Sequence, residues 1–302
     1  MKRILFRFVL LSFSVILSSC ATSKIPESAP LVLMTDFGLR DGAVSSMKGV
    51  AYTVEKSLVV SDLSHEIPPY NIWEAAYRLQ QTYEFWPPGT VFVTVVDPGV
   101  GSDRKSIVVR SNSGHYFVGP DNGLFTLVAD NGGIQSARVI SEAQRRRAGS
   151  EESYTFHGRD VYVFVGAQLA AGQLQFESIG QELPALTRLE YQRADYAAGE
   201  MQGVIPVLDP NYGNVWSNIP KAMVTKHFNN RQKFHVTIFD GQKQVYAASL
   251  PLVDTFSGVM KGKPLLYFNS LLNLSLALNQ GDFARKFKIG SGPNWRVRVR
   301  GD

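Results

Sequence analysis

The chain has 302 residues, enough for two domains of ordinary size, and carries 31 Lys and Arg against 26 Asp and Glu, for a formal charge of +5. Lys2, Arg3 and Arg7 sit in an N-terminal leader; without residues 1–19 the charge falls to +2, which argues against nucleic acid as a partner. Cys20 is the single cysteine, which excludes an internal disulfide and a thiolate metal site.

The leader has a charged start, an apolar run from Phe8 to Leu17 and then Ser18-Ser19-Cys20. That is the build of an export signal, and its apolar run is too short for a permanent membrane span. Leu17-Ser18-Ser19-Cys20 resembles the bacterial lipobox. The resemblance implies a lipoprotein signal peptide over 1–20, lipidation at Cys20 and a membrane contact through that lipid anchor. With Ala21 rather than aspartate next, it implies the periplasmic face of the outer membrane. Residues 21–30 are polar, contain Pro26 and read as a tether.

Leu31-Val32-Leu33-Met34 is a short apolar run that ends at Thr35-Asp36-Phe37-Gly38, the pattern of a buried strand with an acid at its carboxyl end. A helix is expected over 41–54 and a strand over 58–63, followed by the loop His65 to Tyr70. Asn71 caps a helix from Ile72 to about Phe85, and Pro87-Pro88-Gly89 stops it. The run Val91–Val96 then ends on Asp97-Pro98-Gly99-Val100-Gly101, with Arg104 seven residues beyond Asp97. Open α/β sheets place ligands at such strand ends, and the glycines let the chain turn back tightly. Ser106–Arg110 and His115–Val118 read as a hairpin pair, Gly119 to Gly123 as a dense turn, 124–129 as a short helix and 137–140 as a strand. Residues 141–153, with Arg145, Arg146 and Arg147, read as a solvated loop. Phe156-His157-Gly158-Arg159-Asp160 opens a helix over 161–171.

Alternating strands and helices imply an N-terminal α/β domain over 31–196 with a largely parallel sheet between helices. From Gly203 onward, closely spaced short strands imply a small C-terminal β-barrel domain over 197–302. Taken singly, most polar positions have an ordinary explanation. His157 reads as a helix cap, Asp160 as a cap or the ion-pair partner of Arg159, Asn122, Asp209 and Asn214 as turn residues, and Trp216 as a barrel aromatic. Asp36, Asp62, Asp97 and His157 could also serve a metal hydrolase, but no His-x-x-x-His or Glu-x-x-His pair accompanies them.

Eight short motifs in order carry more. They are Thr35 to Gly38, Met47-Lys48-Gly49, Ser64 to Pro68, Pro88 to Val91, Val95 to Gly101 with Arg104, Pro120 to Leu124, Thr155 to Asp160, and Gly213-Asn214 with Ser217-Asn218-Ile219. Together they resemble the S-adenosyl-L-methionine hydroxide adenosyltransferases, relatives of the fluorinase and chlorinase. The resemblance implies hydrolysis of S-adenosyl-L-methionine to adenosine and methionine, by water or hydroxide at ribose C5′, with no metal or other cofactor. It places the catalytic set on Asp97, Arg104 and His157. It places Asp36 on the ribose hydroxyls, Tyr70 near the sugar, Asp209 and Ser270 at the methionine end, and Asn214 and Trp216 at the adenine. It also implies a homotrimer, with each site between one N-terminal domain and a neighbour's barrel. Phe164 stands where the family motif has proline, and Ser275 where many of the hydrolases have glutamate. Gly158 stands where the fluorinase has a halide-contacting serine, which favours hydrolysis over halogenation. The alternative is an envelope-anchored protein that binds the nucleoside or S-adenosyl-L-methionine without turnover.

Overall fold

The computed structural model describes residues 28–229 and 231–302. The export signal, Cys20 and most of the tether lie outside the described residues. The N-terminal domain runs β1 (Leu31–Thr35), α1 (Ala43–Val54), β2 (Val60–Ser64), α2 (Ile72–Thr82), β3 (Val91–Val95), β4 (Ser106–Ser111), β5 (Tyr116–Pro120), α3 (Thr126–Asn131), β6 (Ile134–Val139), α4 (Glu142–Arg145) and α5 (Val163–Ala170). The C-terminal domain runs β7 (Asp195–Ala197), β8 (Glu200–Ile205), β9 (Val207–Leu208), β10 (Val215–Pro220), α6 (Lys221–Phe228), β11 (Lys233–Asp240), β12 (Lys243–Pro251), β13 (Pro264–Phe268), β14 (Asn273–Leu278), α7 (Phe283–Phe287) and β15 (Gly292–Gly301).

The first sheet has the order β2-β1-β3-β5-β4-β6. Strands β2, β1, β3 and β5 pair in parallel, and β4 runs antiparallel between β5 and β6. Side chains alternate faces along a strand, and the apolar runs feed two layers. Leu31 and Leu33 join Val91, Val93, Met47 and Val165 on one face. Val32 and Met34 join Phe92, Phe117, Ala75 and Leu79 on the other. Uninterrupted apolar runs are thus what a strand covered on both faces requires. Gly166 lets α5 approach the sheet: a Cβ there would lie 2.4 Å from Val93 Cγ2 and 3.4 Å from Leu31 Cδ1. Valine has little rotamer freedom to retreat. Overpacking of this kind costs about 1–3 kcal/mol, more than the roughly 1 kcal/mol alanine gains over glycine in a helix. Gly166→Ala is therefore expected to lower the urea midpoint without changing the slope.

The expected barrel is built from two antiparallel sheets, β13-β14-β10-β9 and β12-β11-β15-β8-β7, around one core that includes Phe234, Leu266, Leu276 and Val297. Their edges meet at a Leu252–Leu266 bridge and at Val204 N–H, which donates to Asn218 Oδ1 over 2.8 Å. The barrel docks on α2. Trp73 Nε1 donates to the Pro206 carbonyl (2.7 Å) and Arg78 Nη2 to that of Leu208 (3.0 Å), beside an apolar contact of Trp73, Tyr77 and Leu127 with Val204 and Val207.

Candidate active site

In the sheet order the chain leaves β1 to one side for β2 and to the other for β3, so the carboxyl ends of β1 and β3 flank a switch point, where such sheets bind ligands. Asp36 follows β1 and Asp97 follows β3 by two residues. Both line a cleft of about 350 Å³ with Phe37, Tyr70, Phe156 and His157.

The turn after Asp97 curls back through Val100 N–H to the Asp97 carbonyl (3.3 Å) and Ser102 N–H to the Gly99 carbonyl (3.0 Å), with Gly101 at φ +81°. Glycine adopts that conformation without the penalty other residues meet. The turn returns Arg104 to Asp97. Arg104 Nε donates to Oδ1 (3.1 Å) and Oδ2 (2.9 Å), and Nη2 stands 2.8 Å from Oδ2. Both side chains are nearly covered, at 5% exposure for Asp97 and 9% for Arg104. Arg104 Nη2 also donates to His157 Nδ1 over 2.6 Å, and Nη1 to Ser106 Oγ over 3.0 Å. Asn122 ties the base of the site: its Nδ2 donates to the Val96 carbonyl over 2.8 Å.

His157 makes no side-chain cap, which corrects the expectation that it serves the helix behind it. The helix opens three residues earlier than expected, as a π-helical turn over Gly158–Tyr162 that runs into α5. Such turns recur at functional sites. This one buries Asp160 under Arg159 (2.8 Å to each carboxylate oxygen) and Arg147 (3.4 Å), so the Arg159–Asp160 pair is structural, as its sequence position implied. Burial pushes His157 below the ordinary imidazole value; Glu142 pulls it up, while Arg104 and Arg146 push it further down. A guanidinium only donates, so Nδ1 accepts and the ring is neutral with its proton on Nε2. Burial opposes the charge of Arg104, but Tyr162, Asp97 and Glu142 outweigh it and raise its pKa.

Asp36 Oδ2 accepts from the Tyr70 backbone N–H over 2.9 Å. Tyr70 sits at φ +66° and is 73% exposed at the cleft mouth. A tyrosine in the left-handed region is strained by about 1–3 kcal/mol, and such strain collects at ligand sites. The barrel residues do not join them within one chain. Asp209 Oδ1 accepts from the N–H groups of Asn211 (3.0 Å) and Tyr212 (3.1 Å), and Asn214 Nδ2 stands 3.3 Å from its Oδ2, so both build their own turn. Trp216 Nε1 donates to Tyr267 OH (3.2 Å), under the Arg78 guanidinium. Ser270 is exposed in the turn between β13 and β14. None of these four lines the Asp97 cleft.

Sequence reasoning missed Glu142, Ser106 and Tyr162. Glu142 Oε1 accepts from Ser106 Oγ (2.5 Å) and faces Arg104 Nη1 (3.4 Å), and Oε2 lies 3.4 Å from His157 Nε2. The 141–153 segment, expected as a solvated loop, does expose much of its length, but it opens with α4 and is tied down by its arginines. Arg145 donates to the Ser178 carbonyl and Arg147 to Asp160, contacts that tie the segment to the rest of the domain, while Arg146 donates to the Ser150 and Ser153 carbonyls and braces the segment from within.

Among known proteins, the family model for the SAM hydroxide adenosyltransferase N-terminal domain matches residues 31–180, and that for the C-terminal domain matches 203–296. The chain is 40% identical over 199 residues to the (R)-S-adenosyl-L-methionine hydrolase of Methanocaldococcus jannaschii, spanning 65% of this chain and 68% of that protein. It is 28% identical over 301 residues to the fluorinase of Actinopolyspora mzabensis, spanning 89% and 97%. A crystal structure of an uncharacterized conserved protein from Thermotoga maritima superimposes with a TM-score of 0.81 at 30% identity, covering 89% of this chain and 99% of that one. These relatives overturn the expectation of a lipid-anchored protein with a membrane partner: they are enzymes named for small-molecule chemistry, and a small-molecule substrate is the part of that expectation that stands. No helix among the described residues is long and apolar enough to cross a membrane. Two domain models matched in tandem leave one assignment, and the chain belongs to the SAM hydroxide adenosyltransferase family.

Proposed function

We propose that the protein hydrolyses S-adenosyl-L-methionine to adenosine and L-methionine, without a metal. The observation that carries this reading is the Asp97 carboxylate, clamped by Arg104 at the wall of the cleft beside a neutral His157. The substrate's sulfonium leaves as a neutral thioether, so departure of methionine needs no acid. The difficulty is the nucleophile. A water held by Asp97 in line with C5′ and sulfur gains from proximity. As the C5′–O bond forms, C5′–S breaks and the water proton becomes strongly acidic. Asp97 then accepts that proton and releases it to solvent. Arg104 occupies lone pairs on both Asp97 oxygens and the Nδ1 lone pair of His157, so His157 shapes the water site and Asp97 is the acceptor. Asp36, on the same cleft, suits a ribose diol, since a carboxylate accepts two hydroxyl hydrogen bonds.

The same cleft favours water over halide. A Cβ on Gly158 would stand 3.3 Å from Phe37 Cε2 and 3.5 Å from Phe156 Cε2, so a halide-contacting side chain there would need the Phe37 ring to shift by a few tenths of an ångström. The test is incubation of the protein with S-adenosyl-L-methionine in H₂¹⁸O with excess chloride and fluoride, with and without a chelator. Labelled adenosine and methionine in equal amounts, unaffected by the chelator, are expected. A 5′-halogenated nucleoside, or adenosine binding by calorimetry with no product at high enzyme, overturns the reading.

A further inference from the structure

We infer that Glu142 is a positioning residue of this site, its carboxylate fixing the Arg104 guanidinium and the His157 ring from the side opposite Asp97. The inference rests on the hydrolytic reading and deepens it. Glu142 does not line the cleft, so it acts through other groups.

A guanidinium has five N–H donors in a rigid plane, and here each has an acceptor. Nε and one Nη2 hydrogen serve Asp97, and the other Nη2 hydrogen serves His157 Nδ1. The Nη1 pair serves Ser106 Oγ at 3.0 Å and Glu142 Oε1 at 3.4 Å. Ser106 has one hydrogen and gives it to Glu142, so it accepts from Arg104 and from the Tyr162 hydroxyl at 3.0 Å. Burial keeps the Tyr162 phenol protonated, as a donor in that role must be. The guanidinium plane is thus held along both edges, by Asp97 on one and by Ser106 with Glu142 on the other. Glu142 also governs the imidazole. Arg104 takes the Nδ1 lone pair, and the Nε2 side that carries the proton faces Glu142 Oε2 at 3.4 Å. The groups that bear on His157 are Arg104 and Asp97 from the β3–β4 turn, Glu142 and Arg146 from the 141–153 segment, and Tyr162 from the π-helical turn. Two carboxylates and two guanidinium groups balance, which leaves His157 neutral.

The test is Glu142→Gln, which keeps the shape and removes the charge. Glu142 is a third exposed on a four-residue helix with no buried residue, so the variant should melt like the parent. The expected kcat loss is about 10–100-fold, by analogy with the loss of an outer partner that orients a metal ligand, with KM for S-adenosyl-L-methionine unchanged. The acid limb of the kcat profile should move to lower pH, because the carboxylate that pulls the imidazole upward is gone. Nitrogen-15 shifts should show the His157 ring titrating lower, with the Nε2–H tautomer kept by Arg104. Glu142→Asp, which keeps the charge, should restore the titration but only part of kcat. Parental kcat, profile and His157 titration in Glu142→Gln overturn the inference. If the parent shows no turnover, the hydrolytic reading fails, and the nitrogen-15 titration alone still decides the role of Glu142.

Discussion

Asp97→Asn is expected to cut adenosine formation by about 10³-fold, within the range for removal of a general base, while adenosine still binds. The substitution preserves volume but replaces an acceptor with an amide. Arg104 presents only donors to this position, through Nε and Nη2. The amide must turn its oxygen to them, and its NH₂ group then faces the cleft where the carboxylate oxygen received the water. The water is left with a donor in place of an acceptor, and its proton has no destination as the C5′–O bond forms. Under the proposed reading the nucleoside would be held by Asp36, the aromatic rings and the backbone around the cleft, none of which changes. Product formation followed by chromatography, with adenosine affinity by calorimetry on the same preparation, separates the two effects. A variant within tenfold of the parent rate removes Asp97 from the chemistry, and one that loses affinity and rate equally makes it a binding residue only.

How far the sequence discloses such a site depends on where the chemistry lies. Strands β1 and β3 are buried throughout and apolar but for Thr35 and Thr94, because both faces are covered, so they stop visibly at Asp36 and Asp97. Pro98-Gly99 marks the turn that brings back Arg104, and their pairing is local. Glu142 is different. It reaches Arg104 across 38 positions and Ser106 across 36, from a polar segment with no periodicity. Ser106 reads as the first residue of a strand and Tyr162 as a core aromatic, and each is that as well as a member of the network. Strand β10 (Val215–Pro220) is hard to read from the sequence for a related reason. Its inward positions are Val215, Ser217 and Ile219, and the buried Ser217 breaks the hydrophobic alternation that identifies a strand. The serine is tolerated because its hydroxyl donates to the Leu274 carbonyl over 2.6 Å. Helix α6 buries only Val224 and so carries almost no apolar face to read.

Arg104→Met is expected to be the most damaging single substitution, for stability as well as rate. It leaves Asp97, at 5% exposure, and Glu142, at 32%, without the cation between them. Breaking a buried ion pair on one side costs about 3–5 kcal/mol, and water in the cleft and at the exposed side of Glu142 brings the expectation to the lower end of that range. The loss should depend on pH, and its sign follows from His157. In the parent, burial and Arg104 hold the imidazole below its ordinary value and Nδ1 accepts from the guanidinium. Without Arg104 that lone pair is free and the two carboxylates face the ring with only burial and Arg146 opposing them, so its pKa rises relative to the parent. The variant therefore gains stability relative to the parent as pH falls through the His157 titration and loses that gain as pH rises. Urea unfolding should therefore show the largest gap between variant and parent near about pH 8, where His157 is neutral and both carboxylates are charged. The gap should narrow near about pH 5.5, where the imidazolium stands in for the missing guanidinium. Turnover should not recover with stability, because an imidazolium between the carboxylates cannot hold both oxygens of Asp97 in the plane that Nε and Nη2 define. Arg104→Lys should fail for the same geometric reason: one ammonium cannot reach Asp97, Ser106 and His157 at once. A lysine variant with parental kcat would show that the site needs only a positive charge at Arg104, and not the fork that aligns Asp97, His157 and Ser106.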